Sequence, residues 1–97
     1  MTKIVAELKA GDVILPPARE IQLWMRRHLR EHGLSEAAIH LTVTAVDEGT
    51  PDKRGRWLLV RTRQTAEWCA NCVNPDPAAH PFTFKARPET PWPVVAA

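Results

Sequence analysis

Residues 18–33, AREIQLWMRRHLREHG, decide the fold, because here the hydrophobic period of the chain changes from that of strands to that of a helix. Pro16 and Pro17 end the preceding apolar stretch and suit the first turn of a helix, and Gly33 suits its C-terminal cap. We therefore predict an amphipathic helix over about residues 18–32. On a helical wheel, one arc of about 140° is expected to be buried; it holds Ala18, Ile21, Trp24, Met25, His28, Leu29 and His32.

The segments on both sides of this helix have the patterns of strands. Before the helix, Ile4, Ala6 and Leu8 alternate along residues 3–8 and are expected to form the inward face of a half-buried strand, and apolar residues cluster over residues 12–15. The stretches 40–46 and 57–63 after the helix read as an antiparallel hairpin with a long tip. Residues 82–86 form a last predicted strand, and prolines keep the tail 88–97 extended. The sequence predicts a single α+β domain over residues 1–97, built as a curved antiparallel sheet or a partly open small β-barrel with one amphipathic helix packed on it.

Composition places the 97-residue chain among ordinary globular domains, with 44% hydrophobic and 25% charged residues. No apolar run is long enough to span a bilayer, and Glu7 and Lys9 interrupt the stretch where a signal peptide would be apolar. We therefore expect no membrane contact and a cytoplasmic location, where cysteines stay reduced or bind metal. The net charge of +2 is too small to identify a partner by itself.

Two stretches carry resemblances to known proteins. Leu8–Ile14, LKAGDVI, resembles the tight turn of many small β-barrels, including SH3-like barrels and the RNA-binding barrels of the pseudouridine synthase and archaeosine transglycosylase (PUA) type. This resemblance implies a β-hairpin. Residues 57–60, WLLV, followed by a proline-rich end, are similar to small uncharacterised phage and prophage proteins, which implies a phage-encoded protein.

A metal site is predicted from two pairs of residues with ligand spacing. Cys69 and Cys72 have the gap that lets two thiolates reach one tetrahedral ion, and His28 and His32 lie on successive turns of one helix face. A zinc ion shared by these four side chains would satisfy two buried imidazoles and would anchor the long segment 65–81. His80 is a substitute ligand. The alternative is that the histidines favour the helix C-terminus and the cysteines pack as small apolar residues.

The sequence WCANC at residues 68–72 resembles the active site of thioredoxin. That chemistry requires the first cysteine at the N-terminus of a long helix, where the helix dipole lowers its pKa. Pro75 and Pro77 forbid a long helix after Cys72, so we reject a redox enzyme.

A basic surface is the second candidate site. Arginines share one face of the helix and one face of a strand, and further cations lie at the hairpin tip, so together they could bind phosphates while a tryptophan stacks on unpaired bases. The alternative is that they only solvate exposed faces. The predicted nucleic-acid-binding set is Arg19, Arg26, Arg30, Lys53, Arg54, Arg56, Arg61, Arg63 and Trp57.

No enzyme is predicted. Ser35 is the single serine and lies in an expected cap, tyrosine is absent, and no phosphate loop or dinucleotide turn occurs. The sequence therefore favours a non-catalytic binding module that contacts nucleic acid through its arginines. Two alternatives remain open: a small protein-interaction or inhibitor module, such as a phage anti-defence protein that docks through exposed tryptophans and prolines, and a zinc-stabilised structural domain.

Overall fold

The computed structural model describes residues 1–16 and 19–96, with the backbone alone for residues 19–22 and 96. The described residues form six strands, two helices and three short 3₁₀ turns. In chain order they are β1 (Thr2–Ile4), a turn at Val5–Glu7, β2 (Val13–Ile14), α1 (Arg19–His32), a turn at Glu36–Ile39, β3 (Leu41–Glu48), β4 (Leu58–Arg63), α2 (Ala66–Cys69), a turn at Pro77–Ala79, β5 (Pro81–Ala86) and β6 (Pro91–Ala96).

The strands form one antiparallel sheet in the order β1-β6-β2-β3-β4-β5. The predicted α+β class, with a curved antiparallel sheet and one main helix, is confirmed. The hairpin of β3 and β4 lies where the alternating pattern predicted it, and its tip is closed by paired hydrogen bonds between the backbones of Asp52 and Gly55. The main helix ends as predicted at Gly33, which has a φ of 64° while Leu34 N–H donates to Leu29 O at 2.9 Å.

The sheet curls into a half-barrel. In the strand order, β5 is four places from β6, so a flat sheet would separate them by about 19 Å at the usual strand spacing. Instead, Phe84 of β5 stacks on Trp92 of β6 with the ring centroids 4.8 Å apart. The core between them is filled by the inward residues of the sheet and of the N-terminal segment: Val5, Leu8, Ile14, Leu41, Val43, Leu58, Val60, Ala86, Trp92 and Val94.

The proline-rich tail is a strand and not only an extended end. β6 pairs with β1 on one side and with β2 on the other, although prolines cannot donate to a ladder. Val94 N–H donates to Met1 O at 2.8 Å, on the β1 side. Because successive residues of a strand direct their amides to opposite sides, the nitrogens of Pro91 and Pro93 face β2, which is only two residues long. The prolines therefore remove few hydrogen bonds.

The N-terminal segment differs from the predicted strand over residues 3–8. β1 ends at Ile4, and a 3₁₀ turn follows over Val5–Glu7. Val5 and Leu8 are buried, whereas Ile4 and Ala6 of the expected inward set are exposed. Burial three residues apart is the spacing of a 3₁₀ turn, so the alternation of Ile4, Ala6 and Leu8 was misleading.

The turn after this segment is organised by a buried carboxylate. Asp12 is 1% exposed and accepts hydrogen bonds from the Lys9 backbone N–H at 3.1 Å and from Lys3 Nζ at 3.1 Å. Its own carbonyl accepts from Val43 N–H at 2.8 Å, which ties the turn to β3. Burial alone would raise the pKa of Asp12, but the hydrogen bond from Lys9 and the ammonium group of Lys3 outweigh it and hold the pKa below its usual value.

The main helix packs mostly against a second, smaller core. The prediction that it packs on the sheet was therefore wrong. Met25 and Leu29 of α1 join Ala38 and Ile39 of the 3₁₀ turn, together with Trp68 and Cys69 of α2. The physical reason is the register of the hairpin. Thr42, at the start of β3, pairs with Arg63, at the end of β4, so the turn before β3 and the helix after β4 emerge side by side and form a platform for α1.

None of the helices within the described residues combines the length and the apolar character needed to cross a membrane.

Candidate functional site

The histidine face of α1 is only partly buried. Met25 and Leu29 are buried as predicted, but Trp24 is 63% exposed, His28 is half-buried and His32 is exposed. The expectation that both imidazoles turn inward is therefore wrong for His32. Ala18 and the side chain of Ile21, which also belong to the predicted arc, lie outside the described part of the structure. Among the described side chains the buried stripe is narrower than predicted because α1 meets a small platform, whereas a sheet would cover a wider arc.

The predicted zinc ligands do not come together. Among the described residues, one group of three or more candidate ligands has all its donor atoms within 4.8 Å of one another, and it consists of His28, Glu31 and His32. Neither Cys69 nor Cys72 belongs to it. The side chain that faces His28 from α2 is Trp68, whose ring centroid lies 4.5 Å from that of the imidazole. His80, the substitute ligand, instead donates a ring hydrogen bond to the carbonyl of Asn74.

The segment 65–81 is anchored to the rest of the chain by side-chain hydrogen bonds and burial. Thr65 Oγ1 donates to Ala38 O at 2.7 Å and also caps α2 by accepting from Trp68 N–H at 3.1 Å. Glu67 accepts from Ser35 N–H at 2.7 Å, and the bonds from Ser35 lower the pKa of Glu67. These contacts and the buried side chains of Trp68 and Cys69 provide the anchor that the sequence analysis assigned to zinc.

The two cysteines have different environments. Cys69 is the last residue of the four-residue α2 and is 0% exposed, whereas Cys72 is half-buried and both are free. Burial raises the pKa of the Cys69 thiol, and the neighbouring Cys72 and Asp76 raise it further. In thioredoxin-like chemistry the first cysteine is the low-pKa thiolate at a helix N-terminus, so this position and this direction of the shift are the opposite of that arrangement.

We expect Cys72 to react with a disulfide reagent at least about 10-fold faster than Cys69 in the folded protein, because burial blocks access to Cys69 and raises its pKa. The measurement is the labelling rate of Cys69→Ala and Cys72→Ala, each of which retains one thiol. Equal rates in the folded state would contradict the burial of Cys69, and equal rates in denaturant are the control.

Two of the helix arginines line a groove that the strand arginines do not share. Arg26 and Arg30 line a groove of about 570 Å³ with Leu23, Leu29 and Leu34, and no residue of β4 or β5 lines it. Arg26 is also paired with Glu36 at 3.0 Å. The side chain of Arg19, another member of the predicted set, lies outside the described part of the structure.

The hairpin tip holds its own tryptophan in place. The Trp57 indole N–H donates to Asp52, and the Arg87 guanidinium carbon lies 3.5 Å from the Trp57 ring centroid, so one face of this ring is covered. The bond from Trp57 is the main reason that the pKa of Asp52 is lowered. Arg56 is paired with Glu48, which raises the pKa of Arg56. Of the predicted tip residues, Lys53 and Arg54 have exposed side chains, for which no ion pair is found among the described residues.

The outer face of β4 and β5 carries the strand cations. Arg61 and Arg63 point to this face as predicted. Leu59 lies two residues before Arg61 and so faces the same side of β4, and Lys85 pairs with Leu59, which places Lys85 on this face as well. Arg61 is held by Asp47 at 2.6 Å, with both side chains about half exposed. Arg63 and Lys85 are exposed, and within the described residues no acidic group lies within 4 Å of either. The sequence analysis missed Lys85, since only the register of β5 places it beside the arginines.

A groove of about 460 Å³ continues this face past the end of β4. Arg63, Gln64 and Thr65 line one side, and Asp76 and Pro77 line the other. The Gln64 Oε1 atom is buried without a hydrogen-bond partner in the described structure, which is unusual for a buried polar atom. The groove is therefore lined by both a cation, Arg63, and a carboxylate, Asp76, whereas the Gln64 oxygen is buried beneath the surface.

Comparisons with protein-family models, with curated proteins and with solved structures found no match to this chain.

Proposed function

We propose that the domain binds the phosphate backbone of nucleic acid through the outer face of β4 and β5. The observation that carries the proposal is the pair Arg63 and Lys85, two exposed cations on one strand face for which the described residues contain no acidic partner within 4 Å. Four strand positions separate them, or about 13 Å along the sheet. Cations without an acidic neighbour are free to displace the counterions of a nucleic acid, which is the main source of sequence-independent affinity.

The proposed mode of binding is backbone contact without base stacking. The two phenylalanines of β5 lie on the inner side, where Phe84 stacks on Trp92, and Trp57 is engaged by Asp52 and Arg87. Because Arg87 already covers one face of the Trp57 ring, we expect stacking on unpaired bases to contribute little. Single and double strands should then bind with similar, weak affinity.

The salt dependence of binding tests this mode. Two to three phosphate contacts, from Arg63, Lys85 and in part Arg61, predict that affinity for duplex DNA falls about 10- to 40-fold between about 50 and 200 mM salt. The measurement is a fluorescence-anisotropy titration with a labelled duplex and with its single strand. Binding that does not depend on salt, or the absence of binding to both, would contradict the proposal.

Charge-reversal variants locate the interface. Replacing Arg63 and Lys85 by glutamate should weaken binding at least about 10-fold and reduce the salt slope by about two. The matched control, Arg26→Glu with Arg30→Glu, changes the net charge by the same amount on the helix. An equal loss in this control would remove the strands as the specific interface.

The variant Asp47→Asn offers a gain of binding. It releases Arg61 from its ion pair and removes a negative charge from the outer face. We expect affinity to rise roughly 2- to 5-fold and the salt slope to steepen by up to one. A variant that binds less tightly than the wild type would show that Arg61 is not at the interface.

A protein-interaction role is the second candidate, favoured by the exposure of Leu23 (55%) and Trp24 (63%) on α1. The groove beside Leu23 combines leucines with Arg26 and Arg30, so it fits an acidic segment with an apolar face. Of the tryptophans and prolines expected to dock, Trp92 is buried and Pro91 and Pro93 belong to β6. Binding of a purified acidic partner that is lost in Leu23→Ser and kept after nuclease treatment would favour this role.

A further inference from the structure

We propose that His28, Glu31 and His32 bind one divalent transition-metal ion on the exposed face of α1, without either cysteine. The donor atoms of these three side chains all lie within 4.8 Å of one another, and the two imidazole centroids are 4.2 Å apart. Two nitrogens bound to one tetrahedral zinc ion at about 2.0–2.1 Å are separated by about 3.3 Å. These side chains are already neighbours, so small rotations would bring their donor atoms to the distances required to bind one ion.

The donor set selects the class of metal. Two imidazoles and one carboxylate suit Zn²⁺, Cu²⁺, Ni²⁺ and Co²⁺, while Mg²⁺ and Ca²⁺ prefer sites made of oxygen ligands. Three protein ligands leave coordination positions for water. A hollow of about 180 Å³ beside the site, lined by Trp24, Arg27, His28 and Glu31, has the room for it.

The surroundings of His28 restrict its ring. Trp68 lies 4.5 Å away and Trp24 6.3 Å away, centroid to centroid, and the two indoles are 5.9 Å from each other, so a pair of neighbouring indoles packs against the imidazole. A ring that is held before the metal arrives loses less conformational freedom on binding. His28 is thus the more ordered ligand, and the exposed His32 is free to adjust.

Two electrostatic effects act on the ion in opposite directions. The ligands occupy the last five residues of α1, which ends at His32, and the negative end of a helix dipole favours a cation there. Arg27 opposes binding, because it pairs with Glu31 at 3.4 Å and lines the same hollow. Both partners of this ion pair are more than half exposed, so the pair is weak and the metal can displace it.

The test is a titration of the metal-free protein with Zn²⁺, and with Co²⁺ for its visible spectrum. We expect one ion per chain. His32→Ala, a change at an exposed position, should weaken binding at least about 100-fold, and Glu31→Gln about 10-fold, since loss of an outer-shell partner alone already costs 10- to 100-fold. Unchanged far-ultraviolet circular dichroism shows that the variants are folded.

Two further variants distinguish this site from other metal-binding residues. Arg27→Gln should tighten binding about 3- to 10-fold, because it frees Glu31 and removes a positive charge next to the ion. The pair Cys69→Ala and Cys72→Ala, and the matched histidine control His80→Ala, should leave the affinity unchanged. Saturable binding that survives His32→Ala, a thiolate-to-cobalt charge-transfer band, or no saturable binding at all would overturn the proposal.

Discussion

Trp92→Ala is expected to lower the free energy of unfolding by about 3–5 kcal/mol, the range measured for truncating large buried aromatic residues. Trp92 lies in β6 and is 9% exposed. Its ring stacks on Phe84 of the edge strand β5, and its indole N–H donates to Leu15 O at 3.0 Å. Its removal leaves a cavity where the two ends of the curled sheet meet. Chemical denaturation followed by circular dichroism measures the change.

Two variants show which contact is responsible. Trp92→Phe retains a ring against Phe84 but leaves the Leu15 carbonyl without its donor, so we expect a loss of about 1 kcal/mol. Trp24→Ala makes the same truncation at a position that is 63% exposed and should cost less than about 1 kcal/mol. Equal effects at Trp92 and Trp24 would mean that the half-barrel is not closed by Trp92.

Asp12→Ala is expected to destabilise the domain by about 2–3 kcal/mol, the next largest effect. The change leaves the Lys9 N–H without its acceptor, leaves a small cavity at the buried Asp12 position and removes the partner of Lys3. Lys3 is 20% exposed and can regain water, which limits the loss. Asp47→Ala is the matched control, because it breaks a surface ion pair with Arg61 and should cost no more than about 0.5–1 kcal/mol.

Acid titration of stability gives an independent test of Asp12. Its pKa is lowered in the folded protein, so the unfolded chain binds the proton more readily and the contribution of Asp12 is present above the unfolded pKa of about 3.9. As the pH falls below about 4 and through the folded pKa, this contribution is lost. The difference in unfolding free energy between the wild type and Asp12→Asn should therefore shrink in acid. If the difference in unfolding free energy stayed constant down to low pH, the lowered pKa of Asp12 in the folded protein would be contradicted.

The relative placement of side chains was predicted well where the argument was local. The i, i+4 spacing placed His28 and His32 beside each other, and strand alternation placed Arg61 and Arg63 on one face. The argument failed where it joined distant segments. The pairing of the histidines with Cys69 and Cys72 assumed a fold for residues 65–81, and those residues bury Cys69 with Met25 and Leu29 while Trp68 meets His28.

The sequence by itself determined the elements whose signals are local. The apolar period, the proline pair and Gly33 specify α1, and alternation specifies β3, β4 and β5, because propensity, capping and periodicity act within a few residues. The tertiary structure alone decided that the tail becomes β6, that α1 rests on the 3₁₀ turn and α2, and that Lys85 joins Arg63. Each of these depends on the register between segments far apart in the chain, and that register is set by which apolar faces can be buried together.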